Sequence, residues 1–237
     1  MCTLTYRLTQ TGYELFFNRD EQRSRSQAVA PHIDYEVEAI YPVDPIGKGT
    51  WLAVNNSGLS LALLNYYHAE KLITDSTTDT FISRGEIILK LLAEEDSLSA
   101  LKNMNLAVYQ PFQLCLFPSD LTDSNNKLHC FQWDGVSLME LEQNLPITSS
   151  GVDYPEVYQA RKETFKEIVS IDNPSNEELW CYHQSQQKEG KLSVKMSRED
   201  ARTVSFSRIL VDDKIEFEYV DYLNNEQDVS IVYMDKC

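Results

Sequence analysis

Alternation of apolar and polar positions dominates both ends of the chain, and helical spacing dominates two stretches between them. Thr3 to Leu8 and Tyr13 to Phe17 read as strands joined through Gln10-Thr11-Gly12, a hairpin signal. A long irregular stretch from about Glu21 to Thr50 follows, marked by Pro31, Pro42, Pro45, Gly47 and Gly49. Loops of that length in a compact domain are more often functional than accidental. A second hairpin is expected from Trp51 to Val54 and Leu59 to Leu64, across Asn55-Asn56-Ser57-Gly58, which leaves Asn65 at a strand end.

Helical spacing then takes over. Ser83-x-x-Glu86 reads as a capping box ahead of an apolar face made by Ile87, Ile88, Leu91 and Leu92. A shorter helix from about Ser97 to Asn105 is expected beside it. Strand character returns at Phe112 to Phe117, Leu128 to Trp133 and Ser137 to Glu142, with a turn at Asp134-Gly135. Asp153-x-x-Glu156, with Pro155 in the first turn, starts a helix reaching about Ser170, and Ser175-x-x-Glu178 caps another through Cys181. Strands close the chain at Leu192 to Met196, Thr203 to Val211, Ile215 to Tyr222 and Val229 to Met234. The segments Asp75 to Asp79 and Gln184 to Lys191 read as surface loops. The order strands, helices, strands, helices, strands lacks the regular β-α alternation of a doubly wound sheet. It predicts an α+β fold in which helices cover the outside of two packed, mainly antiparallel sheets.

Composition narrows the function. The 237 residues are 42% hydrophobic, 11% aromatic and 24% charged, which excludes disordered, collagen-like and coiled-coil classes. That length is ample for a real core, and a single domain over residues 1–237 is expected. Lys and Arg number 21 against 37 Asp and Glu, a net charge of -16. Such a field repels nucleic acid and anionic membrane surfaces, and no Lys/Arg cluster counters it. No stretch approaches the roughly 20 apolar residues of a membrane span, so no integral membrane association is expected. The start Met1-Cys2-Thr3-Leu4-Thr5-Tyr6-Arg7 lacks a secretory signal pattern. The five cysteines are sparse and odd in number, which fits reduced thiols and a cytoplasmic location. No CxxC, HxxxH or HExxH spacing is present, so neither a metal site nor a cofactor is expected. Cys115, Cys130 and Cys181 lie in apolar patterns and read as buried hydrophobes. His183 could ligate haem in principle, although a lone helical His is usually structural or solvent-facing.

The residues that could carry chemistry converge on the N-terminus. Trimming of an initiator Met before a small residue leaves Cys2 with both a thiol and a free α-amine. That amine, with an ordinary pKa of about 8, can take the thiol's proton without a separate His. Read alone, a Cys at position 2 is as consistent with an incidental residue. The run Asn18-Arg19-Asp20-Glu21 ends the strand that a hairpin lays beside Cys2. Arg19 there would lower a thiol pKa, and Asp20 or Glu21 could hold an ammonium. A solvated turn is the bland alternative for such a run. Asn65 could aim its amide at a developing oxyanion or simply cap a turn. Trp51, and Tyr66, Tyr67 and His68 after Asn65, could form pocket wall, although an aromatic pair after a strand is more often core.

Met1-Cys2-Thr3, Phe17-Asn18-Arg19-Asp20-Glu21, Gly49-Thr50-Trp51-Leu52-Ala53-Val54-Asn55, Leu63-Leu64-Asn65-Tyr66 and Ala201-Arg202-Thr203-Val204-Ser205 occur in that order. Together they resemble the NRDE family, the family of the transport and Golgi organisation protein 2. Ser83-Arg84-Gly85-Glu86 and the segment from Leu145 to Ser150 resemble its bacterial members. That N-terminal pattern is similar in turn to N-terminal-nucleophile (Ntn) hydrolases of the choloylglycine hydrolase and penicillin acylase type. The resemblance implies a four-layer αββα sandwich with Cys2 as nucleophile and its own amine as base. It implies Arg19 beside the thiol, Asp20 or Glu21 near the amine, Asn65 as oxyanion donor and Arg202 as a polar member of the site. Asn18, Glu21, Trp51, Tyr66 and Ser149 are expected around the substrate. Two departures from the choloylglycine type stand out. Arg19 and Asp20 are adjacent where that type separates its Arg and Asp by two residues, and its further Asn aligns near Ser149.

Two functions follow as expectations. The first is hydrolysis of a non-peptide amide or an acyl ester or thioester through Cys2, acting on a small molecule. The second is non-catalytic binding or trafficking of an apolar ligand such as an acyl-CoA, a lipid or haem.

Overall fold

The computed structural model describes residues 2–69, 81–142, 144–223 and 228–237. The loop expected at 75–79 and the retention or loss of Met1 lie outside them. One antiparallel sheet combines β1 (Cys2–Leu8), β2 (Tyr13–Gln22), β10 (Ile147–Ser149), β11 (Ala201–Val211), β12 (Lys214–Asp221) and β13 (Asp228–Asp235), in the order β10-β1-β2-β11-β12-β13. The second runs in chain order through β3 (Val29–Asp34), β4 (Ala39–Val43), β5 (Leu52–Asn55), β6 (Ser60–Asn65), β7 (Phe112–Phe117), β8 (His129–Trp133) and β9 (Leu138–Glu140).

Period-two patterning gives each sheet two apolar faces, and three separate cores result. Between the sheets, Leu4, Leu15 and Phe17 of the first meet Leu52, Val54, Ala62 and Phe117 of the second. Helices α1 (Gly85–Leu92) and α2 (Ser97–Asn103) bury Ile87, Ile88, Leu91 and Leu101 against Ala53, Leu61 and Leu63 on the outside of the second sheet. Helices α3 (Tyr154–Ile168) and α4 (Asn176–Gln184) bury Phe165, Leu179 and Tyr182 against Phe16 and Phe206 on the outside of the first. At about 1.5–3 kcal/mol per fully buried large apolar side chain, these layers dominate the stabilisation. The layering is the expected αββα sandwich, and among the described residues no helix is long and apolar enough to cross a membrane.

Local corrections have physical causes. The stretch from Glu21 to Thr50 contains the β3–β4 pair. Pro31 is tolerated because β3 is an edge strand, and Pro42 because pairing of β4 with β5 ends at Ile40. Leu192 to Met196 is not a strand: a 3₁₀ turn covers Gly190–Leu192, and the Ser193 hydroxyl donates to the carbonyls of Gly190 and Lys195. Ser83 and Glu86 form no capping box; Arg84 is the N-cap, and Glu86 pairs with Lys90 at 3.1 Å. The box at Ser175 and Glu178 does form. Cys181 is exposed rather than buried, whereas Cys115 and Cys130 are buried opposite each other on β7 and β8.

Candidate active site

The register of the first sheet builds the site. Antiparallel pairing sets Cys2 against Arg19 on β2, as the hairpin predicts, and against Ser149 on β10, which the hydrophobic pattern alone does not reveal. The backbone N–H of Cys2 donates to Ser149 Oγ at 3.0 Å. Cys2 and Arg19 then line a cavity of about 590 Å³ together with Glu21, Trp51 and Asn65. Asp20 also reaches this cavity, so six of the residues expected from the sequence meet in one place.

Arg19 is held from two sides. Its guanidinium carbon stands 4.1 Å from the centre of the Trp51 ring, and Nη2 donates to Asp44 Oδ2 at 2.6 Å. A stacked cation of this kind contributes about 0.5–2 kcal/mol, more as it is desolvated. Glu21 lies 3.4 Å from the same nitrogen, and Arg25 reaches Asp44 Oδ2 at 2.8 Å. The other oxygen of Asp44 accepts the N–H groups of Ile46 and Gly47, both at 2.9 Å. Burial pushes the Asp44 carboxyl upward, but the Gly47 N–H and the two guanidinium groups outweigh it and hold the group below its ordinary range.

Asp20 is anchored beneath the cavity. Its Oδ1 accepts from Thr203 Oγ1 at 2.6 Å, and its Oδ2 pairs with Arg161 Nη2 at 3.1 Å, both side chains fully buried. Arg161 extends from α3 and also donates to Thr3 Oγ1. Pairing of β11 with β2 shifts register between Thr203 and Ser205, opposite Asp20 and Arg19. That irregularity is of the kind that re-aims side chains beside active sites.

Burial, with the nearby Asp20 charge, pushes the Cys2 thiol above its ordinary pKa, while the Asp20 backbone N–H and Arg19 oppose that shift. The thiol therefore rests protonated at neutral pH and needs a base in the reaction step. Asn65, at the end of β6, donates through Nδ2 to Tyr67 Oη at 2.8 Å. The backbones of Gly49 and Gly85 cross at one wall: a Cβ on Gly49 would lie 2.4 Å from the Gly85 carbonyl carbon. This crossing fixes the start of α1 against the β4–β5 connection.

Four expected site residues fall outside this cavity. Asn18 points to the helix side of the sheet, its amide donating to the carbonyls of His183 and Val194 at 2.8 and 3.1 Å. Strand alternation forces this, since Arg19 next to it faces the other way. Tyr66 and Ser149 line a small neighbouring pocket that shares Asn65 and Tyr67 with the main one. Arg202 stands opposite Glu21 on β11, half-buried and outside the lining. His183 is fully buried with Nε2 2.8 Å from Thr5 Oγ1, and burial with the nearby Arg161 charge lowers its pKa to about 3.

Asp44, Arg25, Arg84 and Arg161 were not expected, whereas Tyr67, which follows Asn65 with Tyr66, lines the cavity as the sequence allowed. A signal existed for Arg161, because Val157, Ala160, Thr164 and Phe165 form a buried helical stripe that includes its position. Asp44 sits in Asp44-Pro45 ahead of Gly47, a turn signal, but its partners are 19 and 25 residues away. Among the described residues no group of three or more His, Cys, Asp or Glu could hold a metal ion.

A family model described as Transport and Golgi organisation 2 matches residues 1–228. No curated protein matches the sequence. Among solved structures, the Caenorhabditis elegans ortholog of N-acylethanolamine-hydrolyzing acid amidase is similar in fold. The superposition has a TM-score of 0.53 at 8% identity and covers 88% of this chain and 92% of that one.

Proposed function

The chain belongs to the Transport and Golgi organisation 2 family, and from that premise we propose that it is an N-terminal-cysteine hydrolase of a small polar amide or acyl ester or thioester. The observation that carries this reading is the register that seats Cys2 in the cavity, opposite Arg19, with its main-chain nitrogen on Ser149 Oγ. Removal of Met1 turns that nitrogen into an α-amine. The amine takes the Cys2 proton as sulfur adds to the substrate carbonyl, then delivers it to the departing group as the carbon–nitrogen, carbon–oxygen or carbon–sulfur bond to that group breaks. Water attacks the resulting thioester, loses its proton to the same amine, and releases the acid with the Cys2 thiol restored. The fold likeness to an acid amidase ortholog is in keeping with this chemistry.

The charged and amide groups around the cavity, Arg19, Glu21, Arg25, Asp44 and Arg84 with Asn65, favour a polar substrate over a long acyl chain or haem. The second reading is binding without turnover. The test is turnover of a panel of fluorogenic acyl amides and thioesters by the wild type and Cys2→Ala. The hydrolase reading expects turnover that vanishes in the variant. Turnover that survives Cys2→Ala refutes Cys2 as the nucleophile, and ligand retention with no turnover in either protein supports the binding reading.

A further inference from the structure

We propose that the cavity selects a substrate bearing a carboxylate, which Arg25 and the Ser83 hydroxyl hold beside Gly47 while the scissile carbonyl lies at Cys2. The reaction at Cys2 is that of the hydrolase reading, on which this assignment rests; the ligand's charge is read from the cavity walls. With a net charge of -16 on the whole chain, an anion is the less obvious guest. The hydrogen-bonding groups left over after the site's own bonds are made point the other way.

The acceptors of this cluster are spent. Asp44 Oδ2 takes three N–H groups, from Arg19 Nη2 at 2.6 Å and from Nε and Nη2 of Arg25 at 3.1 and 2.8 Å. Its Oδ1 takes the N–H groups of Ile46 and Gly47. Glu21 Oε1 accepts the Gln22 N–H at 2.9 Å, and its Oε2 faces Arg19 and Arg25 at 3.4 and 3.7 Å. The donors are not spent. A guanidinium has five N–H donors. Among the described residues none accepts from Nη1 of Arg25, or from Nε or Nη1 of Arg19. Ser83 is engaged through its carbonyl, which takes the Glu86 N–H at 3.1 Å, and its hydroxyl has no partner among the described residues.

Two of these donor groups meet at one place. Arg25 and Ser83 both line the cavity, and a Cβ on Gly47 would lie 3.0 Å from Ser83 Oγ and 3.8 Å from Arg25 Nη2. The missing side chain at Gly47 keeps that gap open. A carboxylate seated there takes unused guanidinium N–H groups and the Ser83 O–H, bonds of the charge-assisted kind. Asp44 couples this seat to the nucleophile, because Arg19 on its other side is the register partner of Cys2. Two guanidiniums balanced against Asp44 and Glu21 make a modest local field, which suits a monoanion better than a phosphate dianion.

Hippurate, an amide with a neighbouring carboxylate, and hippuramide, in which a neutral amide replaces that carboxylate, separate charge from shape. Both are titrated calorimetrically into Cys2→Ala, which removes the thiol and leaves the seat. Hippurate should bind at least about tenfold more tightly than hippuramide, and the preference should shrink between about 0.05 M and about 0.5 M salt. In the same background Arg25→Gln should abolish the preference and Arg25→Lys should keep part of it. Gly47→Ala narrows the seat without altering charge and should weaken hippurate more than hippuramide, which keeps the test open if Arg25→Gln fails to fold. Equal affinity for the two probes, no detectable binding of either, or a preference that survives Arg25→Gln would overturn the assignment. The hydrolase reading fails separately. A hippurate preference in a protein whose wild type turns over no acyl amide or thioester leaves the carboxylate seat standing and removes the nucleophile. Turnover of acyl amides with no charge preference removes only the seat.

Discussion

Replacing Arg161 with Met tests whether the buried support beneath the cavity is as tightly coupled as its geometry implies. Arg161 and Asp20 are both fully buried and meet at 3.1 Å, and Arg161 also donates to Thr3 Oγ1. Methionine fills much of the volume but takes the Arg161 guanidinium away from the buried Asp20 carboxylate. Removing one partner of a buried pair costs about 3–5 kcal/mol, chiefly through the stranded charge. Losing the Thr3 bond adds about 1 kcal/mol. Against a typical total of about 5–15 kcal/mol, a loss near 5 kcal/mol is severe. In urea, with a slope of about 3 kcal/mol per molar for a chain of this size, the midpoint should fall by about 1.7 M. Adding Asp20→Asn removes the stranded charge, so the double variant should recover more than about 1 kcal/mol relative to Arg161→Met alone. A loss below about 1 kcal/mol for Arg161→Met, or a double variant that is simply additive, would refute this reasoning.

Other consequences are separately measurable. His183 has its folded-state pKa lowered to about 3, so below its ordinary value of 6.5 the unfolded chain binds a proton that the folded chain does not. Stability from this residue is therefore complete above pH 6.5 and falls by about 1.4 kcal/mol per unit on acidification toward pH 3. His183→Gln should show a shallower acid limb in denaturation measured from pH 7 to 4; parallel limbs would contradict the burial argument. Gly49→Ala drives a methyl into the Gly85 backbone and should cost about 1–3 kcal/mol in thermal unfolding, with no cost counting against a close crossing. Cys115 and Cys130 should resist a thiol reagent in the native protein while Cys181 and Cys237 react at once, and equal labelling of all four would contradict the placement of the buried pair.

The layers were legible because burial writes its period into the sequence. Ile87, Ile88, Leu91 and Leu92 carry the helical spacing of α1, and the Ile215, Phe217 and Tyr219 alternation carries β12. The meeting of Cys2 with Arg19 was legible too, because a hairpin's register follows from its turn. The β3–β4 pair was hidden by prolines that only edge position and limited pairing make tolerable. Asn18 was assigned to the site as part of a contiguous run, yet alternation sends it to the opposite face. Asp44 and Arg161 escaped because their roles depend on contacts across the whole chain: Arg161 meets Asp20 from 141 residues away.

The most direct measurement is peptide-resolved mass spectrometry of the native protein after brief exposure to a mild thiol electrophile. The hydrolase reading predicts that Met1 is gone and that Cys2, although only half-exposed, is modified well ahead of the exposed Cys181 and Cys237. Retention of Met1, or labelling of Cys2 no faster than that of Cys237, would contradict an activated N-terminal nucleophile.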